Sequence, residues 1–214
     1  MGIFNKIFKD EKNDEGTSTM AVSNGYNGPS LNLEKGTVLN LSKMEGLSEL
    51  IHVGAGWDTG FDLDLCAYLV DDKGNVFDTI YYGHKKATGI YLDQDNLTGE
   101  GEGDDENIHV NTKKLSLRAT QVFFSVVIYN AANRKQQFNK VKNAFIRLED
   151  EKSKHEICRF NLSNDGGMNT AVIAACLYKD VTTDEWKFKG IEEYSRDSIS
   201  TLKSKVLDIS TRIN

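Results

Sequence analysis

Seven carboxylates crowd the stretch DQDNLTGEGEGDDE (93–106) of this chain: Asp93, Asp95, Glu100, Glu102, Asp104, Asp105 and Glu106. Three glycines, Gly99, Gly101 and Gly103, stand among them. Hard cations such as Ca2+ take roughly 6–8 oxygen ligands from carboxylates, backbone carbonyls and water. Glycine lets the backbone turn sharply, so that successive carbonyls can converge on one point. Both ingredients are here, and the chemistry they point to is capture of a divalent cation. The register excludes an EF-hand. Counted from Asp93, the fifth and sixth positions are Leu97 and Thr98, where an Asp or Asn and then the turn glycine belong. The expectation is an acidic calcium loop on a β-scaffold.

A second acidic group lies upstream in GWDTGFDLDLC. Strand alternation puts Asp62, Asp64, Cys66 and Tyr68 on one face and Phe61, Leu63, Leu65, Ala67 and Leu69 on the other. Two carboxylates so placed lie about 7 Å apart. Uncompensated, they repel by roughly 2–3 kcal/mol at an effective dielectric of about 20. A cation between them removes that cost, and Asp58 stands close enough in sequence to add an oxygen.

The elements that must hold these residues read as strands. LNLEKGTVLNL, ELIHVGAGW, FDLDLCAYLV, NVFDTIYY, NIHV, QVFFSVVIYN, NAFIRLE, EICRFNL, MNTAVIAACLY and EWKF are short apolar or alternating runs separated by turn residues. They predict nine or ten strands. One helix is expected, from about Glu192 to Ile209, because Ile199, Leu202, Val206 and Ile209 follow a 3.6-residue period. Strands do not alternate with helices of 10–15 residues, so the fold expected is mainly β, a two-layer antiparallel β-sandwich with a C-terminal helix. Residues 1–30 read as a separate arm: Ile3, Phe4, Ile7 and Phe8 lie at helical spacing, and a polar, aperiodic tether follows. The domain proper is expected over 31–214.

Charge narrows the partners. The formal net charge is −6, and without the seven carboxylates of 93–106 the remainder sums to +1. The acidity is one local cluster, which argues against a nucleic-acid partner and for a cation there. Residues 1–16 lack the pattern of a secretory signal, and no apolar run approaches the roughly 18 residues that span a bilayer. Cys66, Cys158 and Cys176 are three, widely spaced, and fit neither a disulfide framework nor a CxxC pair. A reducing cytoplasm is the expected location.

GWD (56–58), FDLD (61–64), DNLTGEGEGDDE (95–106), NAFIRL (143–148) and WKF (186–188), in this order and at these spacings, resemble the TerD family of bacterial tellurite-resistance and general stress proteins, with its siblings TerE and TerZ. The resemblance covers about residues 31–190. It implies a β-sandwich binding two Ca2+ ions at one end. By position, Asp62 and Asp64 match the strand carboxylates, and Asp95 and Asn96 the DN that opens the loop. Asp104, Asp105 and Glu106 match its DDE end, and Gly101 and Gly103 stand where carbonyl ligands belong. Asp58, within GWD, suits either the site or a turn. The chain departs from the family at Leu65 and Cys66, where small residues are usual, and at Asp93–Gln94, where Ser-Gly commonly stands. These changes spare the matched ligands, although Asp93 adds a charge at the rim.

No catalytic set is expected. His52, His84, His109 and His155 stand singly, and no P-loop, nucleophile elbow or zinc spacing occurs. Carboxylates beside Cys66 should make its thiol a poor nucleophile. The reading is a calcium-dependent interaction module that meets a protein partner in a stress-response complex, one associated with the inner face of the membrane. The alternative is a Mg2+- or Mn2+-dependent phosphoester hydrolase using the same carboxylates.

Overall fold

A computed structural model describes residues 19–20, 30–99, 101, 103–162 and 166–213. In chain order its strands are β1 (Thr19–Met20), β2 (Leu31–Asn32), β3 (Val38–Asn40), β4 (Leu50–Gly56), β5 (Leu63–Val70), β6 (Val76–Ile80), β7 (Lys86–Ala87) and β8 (Ile90–Leu92). They continue as β9 (Glu106–Asn111), β10 (Gln121–Ile128), β11 (Phe145–Asp150), β12 (His155–Asn161), β13 (Ala171–Lys179) and β14 (Trp186–Ser195). The α-helices among the described residues are α1 (Ala131–Arg134) and α2 (Leu202–Ser210). The first sheet runs β1-β3-β14-β13-β10-β5-β6 and the second β2-β12-β11-β4-β9-β8-β7. All the ladders are antiparallel except the two-residue pairings of β1 with β3 and β2 with β12.

The mainly β sandwich with a C-terminal helix is therefore the fold, with more strands than expected. The described residues form fourteen strands rather than nine or ten, because very short strands carry too little pattern to read. LNLEKGTVLNL divides at a turn where Gly36 takes φ +81°, and its halves join different sheets. Lys86–Ala87 and Ile90–Leu92 form an unforeseen hairpin around Gly89. The helix also starts later than expected. Glu193, Tyr194 and Ser195 pair with Ile173, Val172 and Ala171 of β13, so the ladder claims residues whose local pattern reads as helix. The arm over 1–30 lies outside the described residues, apart from Ser30 and the Thr19–Met20 strand.

Alternation along β5 falls as the sequence predicts. Leu63, Leu65, Ala67 and Leu69 enter the core between the sheets, beside Val53, Ile108, Phe124 and Leu148. Cys66 and Tyr68 face outward but not to water. They pack with Phe123, Val127 and Ile173 beneath Leu202, Val206 and Ile209 of α2, and the Tyr68 hydroxyl donates to the Ile199 carbonyl at 2.8 Å. β5 and β10 are thus buried at every position, which accounts for the nearly continuous apolar run of β10, where Gln121 and Ser125 are the exceptions.

Three connections meet at one end of the sandwich. Tyr129 N–H, after β10, donates to Asp62 O in the β4–β5 connection, and Asp58 N–H donates to Lys142 O ahead of β11. Asp105 N–H, in the β8–β9 loop, donates to Ala55 O. The acidic loop and FDLD are thereby held together.

Leu202→Ala empties a fully buried position under α2. It is expected to lower the unfolding free energy by about 2–5 kcal/mol in denaturant titration. A loss well under 1 kcal/mol would show that α2 is a loose appendage.

Candidate metal centre

Asp64, Asp95 and Glu106 converge, each offering a carboxylate oxygen within 4.8 Å of the others. They come from three places: the start of β5, the opening of the acidic loop and the first residue of β9. Asp64 and Glu106 are 3% and 1% exposed, whereas Asp95 is open to solvent. Glu106 is the most constrained. Its Oε2 accepts the Leu65 N–H at 2.7 Å and its Oε1 the Asn96 N–H at 3.3 Å. A side chain of the second sheet thereby grips the backbone of the first.

The electrostatics of this cluster are unfavourable without a cation. Burial, aided by Asp64 and Asp95, pushes the Glu106 carboxyl up to about 9 despite its two N–H donors. Burial and then Asp62 and Asp95 push Asp64 up to about 7, against a small opposing pull from Arg134. Asp64 Oδ2 is buried with no hydrogen-bond partner. An all-oxygen donor set with an orphaned buried carboxylate oxygen fits Ca2+. The remaining ligands would come from water and backbone carbonyls, and the exposed Gly101 and Gly103, at φ +140° and +97°, lie in the same loop.

The other residues matched by position are engaged elsewhere. Asp62 lies 3.4 Å from the Arg134 guanidinium, with which it forms an ion pair. Asp104 points away from the cluster to the outer face of the second sheet. There it receives Arg147 Nε and Nη2 at 2.7 and 2.9 Å, with His52 Nε2 at 3.4 Å. Burial raises its carboxyl, but His52 and Arg147 outweigh that and hold it below the usual carboxylate range. Gly54 makes room for this arrangement, since a Cβ there would collide with the Asp104 carboxylate. Asp105 accepts the Trp57 N–H at 2.9 Å and the Asn96 side-chain amide at 2.8 Å. Asn96 Oδ1 accepts from Thr98 N and Gly99 N, closing an Asx turn. Gly99, at φ +60°, lies so close to the Trp57 indole that no side chain would fit. Asp58 is exposed and takes a hydrogen bond from the Asn143 amide.

Arg134, Arg147 and His52 escaped the sequence reading, since nothing in their local spacing ties them to the loop. Nor do all the histidines stand singly. His52 and His109 are cross-strand partners with ring centroids 5.5 Å apart, and His109 stacks on Tyr91 at 4.6 Å.

The family model for the TerD domain matches residues 30–205. The chain belongs to the TerD family. General stress protein 16U of Bacillus subtilis is 37% identical over 174 residues, covering 75% of this chain and 89% of that protein. Tellurium resistance protein TerD of Serratia marcescens is 34% identical over 173 residues, covering 76% and 89%. The crystal structure of a homologue of telluride resistance protein (TerD) from Streptomyces coelicolor superposes with a TM-score of 0.62. That pair shares 18% identity and spans 74% of this chain and 96% of the other. The match shows that the TerD-family sandwich is the fold here.

The carboxyl shifts set a pH dependence for the TerD domain in EDTA. Glu106 and Asp64 hold protons that an unfolded chain, with carboxyls near about 4, would release. Raised groups favour folding at low pH, and their contribution is lost as pH rises through the window to about 9. Asp104, Asp150 and Glu156, all lowered, act oppositely and protect only above about pH 4. The melting temperature in EDTA is expected to fall between pH 5 and pH 9 by calorimetry. A flat or rising profile would contradict the buried-carboxylate account.

Proposed function

We propose that this TerD-family chain is a calcium-binding interaction module of a stress or tellurium-resistance response. It acts by binding, not by catalysis. The observation that carries the reading is the meeting of Asp64, Asp95 and Glu106, two of them buried, with hydrogen bonds and Arg134 too weak to offset their repulsion. One ion at this cluster is what the described geometry supports. A second ion rests on the family resemblance alone; burial, and then Asp58 and Asp104, raise the Asp105 carboxyl.

The cysteines favour the non-catalytic reading. Cys66, Cys158 and Cys176 are buried and free, and burial pushes all three thiols up, Cys66 further so because of Asp64 and Glu106. Thiols in that state are poor nucleophiles and poor reductants for an oxyanion. The partner we propose is a protein of a stress complex, in the cytoplasm at the inner membrane face. No helix among the described residues is long and apolar enough to cross a membrane.

Calorimetry is expected to give Ca2+ binding at least tenfold tighter than Mg2+ binding, since Mg2+ demands octahedral geometry and retains its waters. Calcium at 100 times its Kd should stabilise the fold by about 2.7 kcal/mol. Asp64→Asn and Glu106→Gln should each weaken calcium at least tenfold. Asp104→Asn, which disturbs the Arg147 pair, should lower stability while leaving calcium affinity within about twofold. Micromolar Mg2+ binding with weak Ca2+ binding would sink the proposal, as would equal calcium loss in all three variants.

A further inference from the structure

Helix α2 covers only part of the outer face of the first sheet. Beyond it, a cavity of about 800 Å3 opens between the end of β6, the β10–α1 turn and the segment leading into α2. Asp64 forms part of its wall, so the carboxylate cluster borders the cavity directly. Asp64 Oδ2 and Thr79 Oγ1, on residues that both line it, are buried without hydrogen-bond partners. Buried polar atoms are nearly always paired; a cation would take Asp64 Oδ2, which leaves Thr79 Oγ1 to be met by a further ligand.

The remaining wall says what kind. Tyr81, Tyr82 and Tyr129 line the cavity and meet edge to face, with centroids 5.2 Å apart in the first pair and 5.7 Å in the second. Tyr82 and Tyr129 are 39% and 38% exposed, so their ring surface is available to a visitor. Arg196 and Lys203 also line the cavity, and neither forms an ion pair with a described residue. Two acids share the wall with them, Asp197 and the Asp64 of the carboxylate cluster.

We propose that this cavity binds a small organic anion bearing a planar aromatic ring, and that calcium at the neighbouring cluster admits it. The head group completes the ion's coordination and meets the basic pair, while the ring lies against the tyrosines, where aromatic pairs gain from edge and offset contact. The inference rests on the calcium reading. With no cation, the Asp64 and Asp95 carboxylates repel the head; with one, that repulsion turns into attraction. The volume falls within the roughly 300–1,000 Å3 usual for small-molecule sites. Coupling of this kind is reciprocal, so the anion must tighten calcium by the factor that calcium tightens the anion.

Phenyl phosphate and benzoate, which carry the two eligible head groups, serve as probes in calorimetry on the full chain. Inorganic phosphate is the ringless control. At least one aromatic probe is expected to bind saturably in excess calcium, at least tenfold more tightly than in EDTA and than inorganic phosphate. Tyr82→Ala, and separately the pair Arg196→Ala with Lys203→Ala, should each weaken it at least tenfold. Without a probe, both variants should bind calcium within about twofold of the parent. Calcium binding with neither probe bound would overturn this inference alone, and no calcium binding would overturn it together with the proposed function. Probe binding that is equal in EDTA, matched by inorganic phosphate or untouched by both variants would also overturn it.

Discussion

A carboxylate that cannot easily be charged holds the two sheets of this domain in register. Glu106 opens β9 in the second sheet, yet its side chain crosses the seam to take the backbone N–H of Leu65 in the first. That bond, with the Asn96 N–H on its other oxygen, fixes the acidic loop against the start of β5. The same burial that makes these hydrogen bonds strong penalises the charge that strengthens them. The end of the sandwich is thus caught between needing an ionised Glu106 as acceptor and excluding the water that would solvate it. A cation beside Asp64 and Asp95 would resolve the conflict, so the calcium proposal rests on packing as much as on counting acids.

The fourteen-residue acidic stretch is not one uniform ligand set. Asp104 and Asp105 serve as fasteners, the first locked by Arg147 on the outer face of the second sheet and the second closing on Trp57 and Asn96. Asp95 is left facing solvent beside the buried pair. A mutagenesis scan that treated these acids as equivalent would mix loss of fold with loss of ligation.

Much of this was legible in the sequence because it is local. The period-2 pattern of FDLDLCAY placed its residues on the correct faces, and the composition of 93–106 pointed to the candidate site. What escaped was long-range. Glu193–Ser195 look helical until β13 claims them, and nothing near Arg147 foretells Asp104 across the sheet. The outward face of β5 also looked polar on paper. Its true neighbour is α2, far along the chain, and only the folded topology brings Leu202 over Cys66 and Tyr68.

The ties at the two ends of the loop also bear on how fast an ion could come and go. Asn96 is tied at the front of the loop and Asp104 at its rear, so Asp95 and Glu106, which flank these two anchors, need little rearrangement for capture. Loops of about ten residues close in roughly 10–100 ns. Under the calcium reading, exchange would be paced by diffusion and dehydration of the ion, not by refolding of the protein. Such a domain would follow a calcium transient almost without lag.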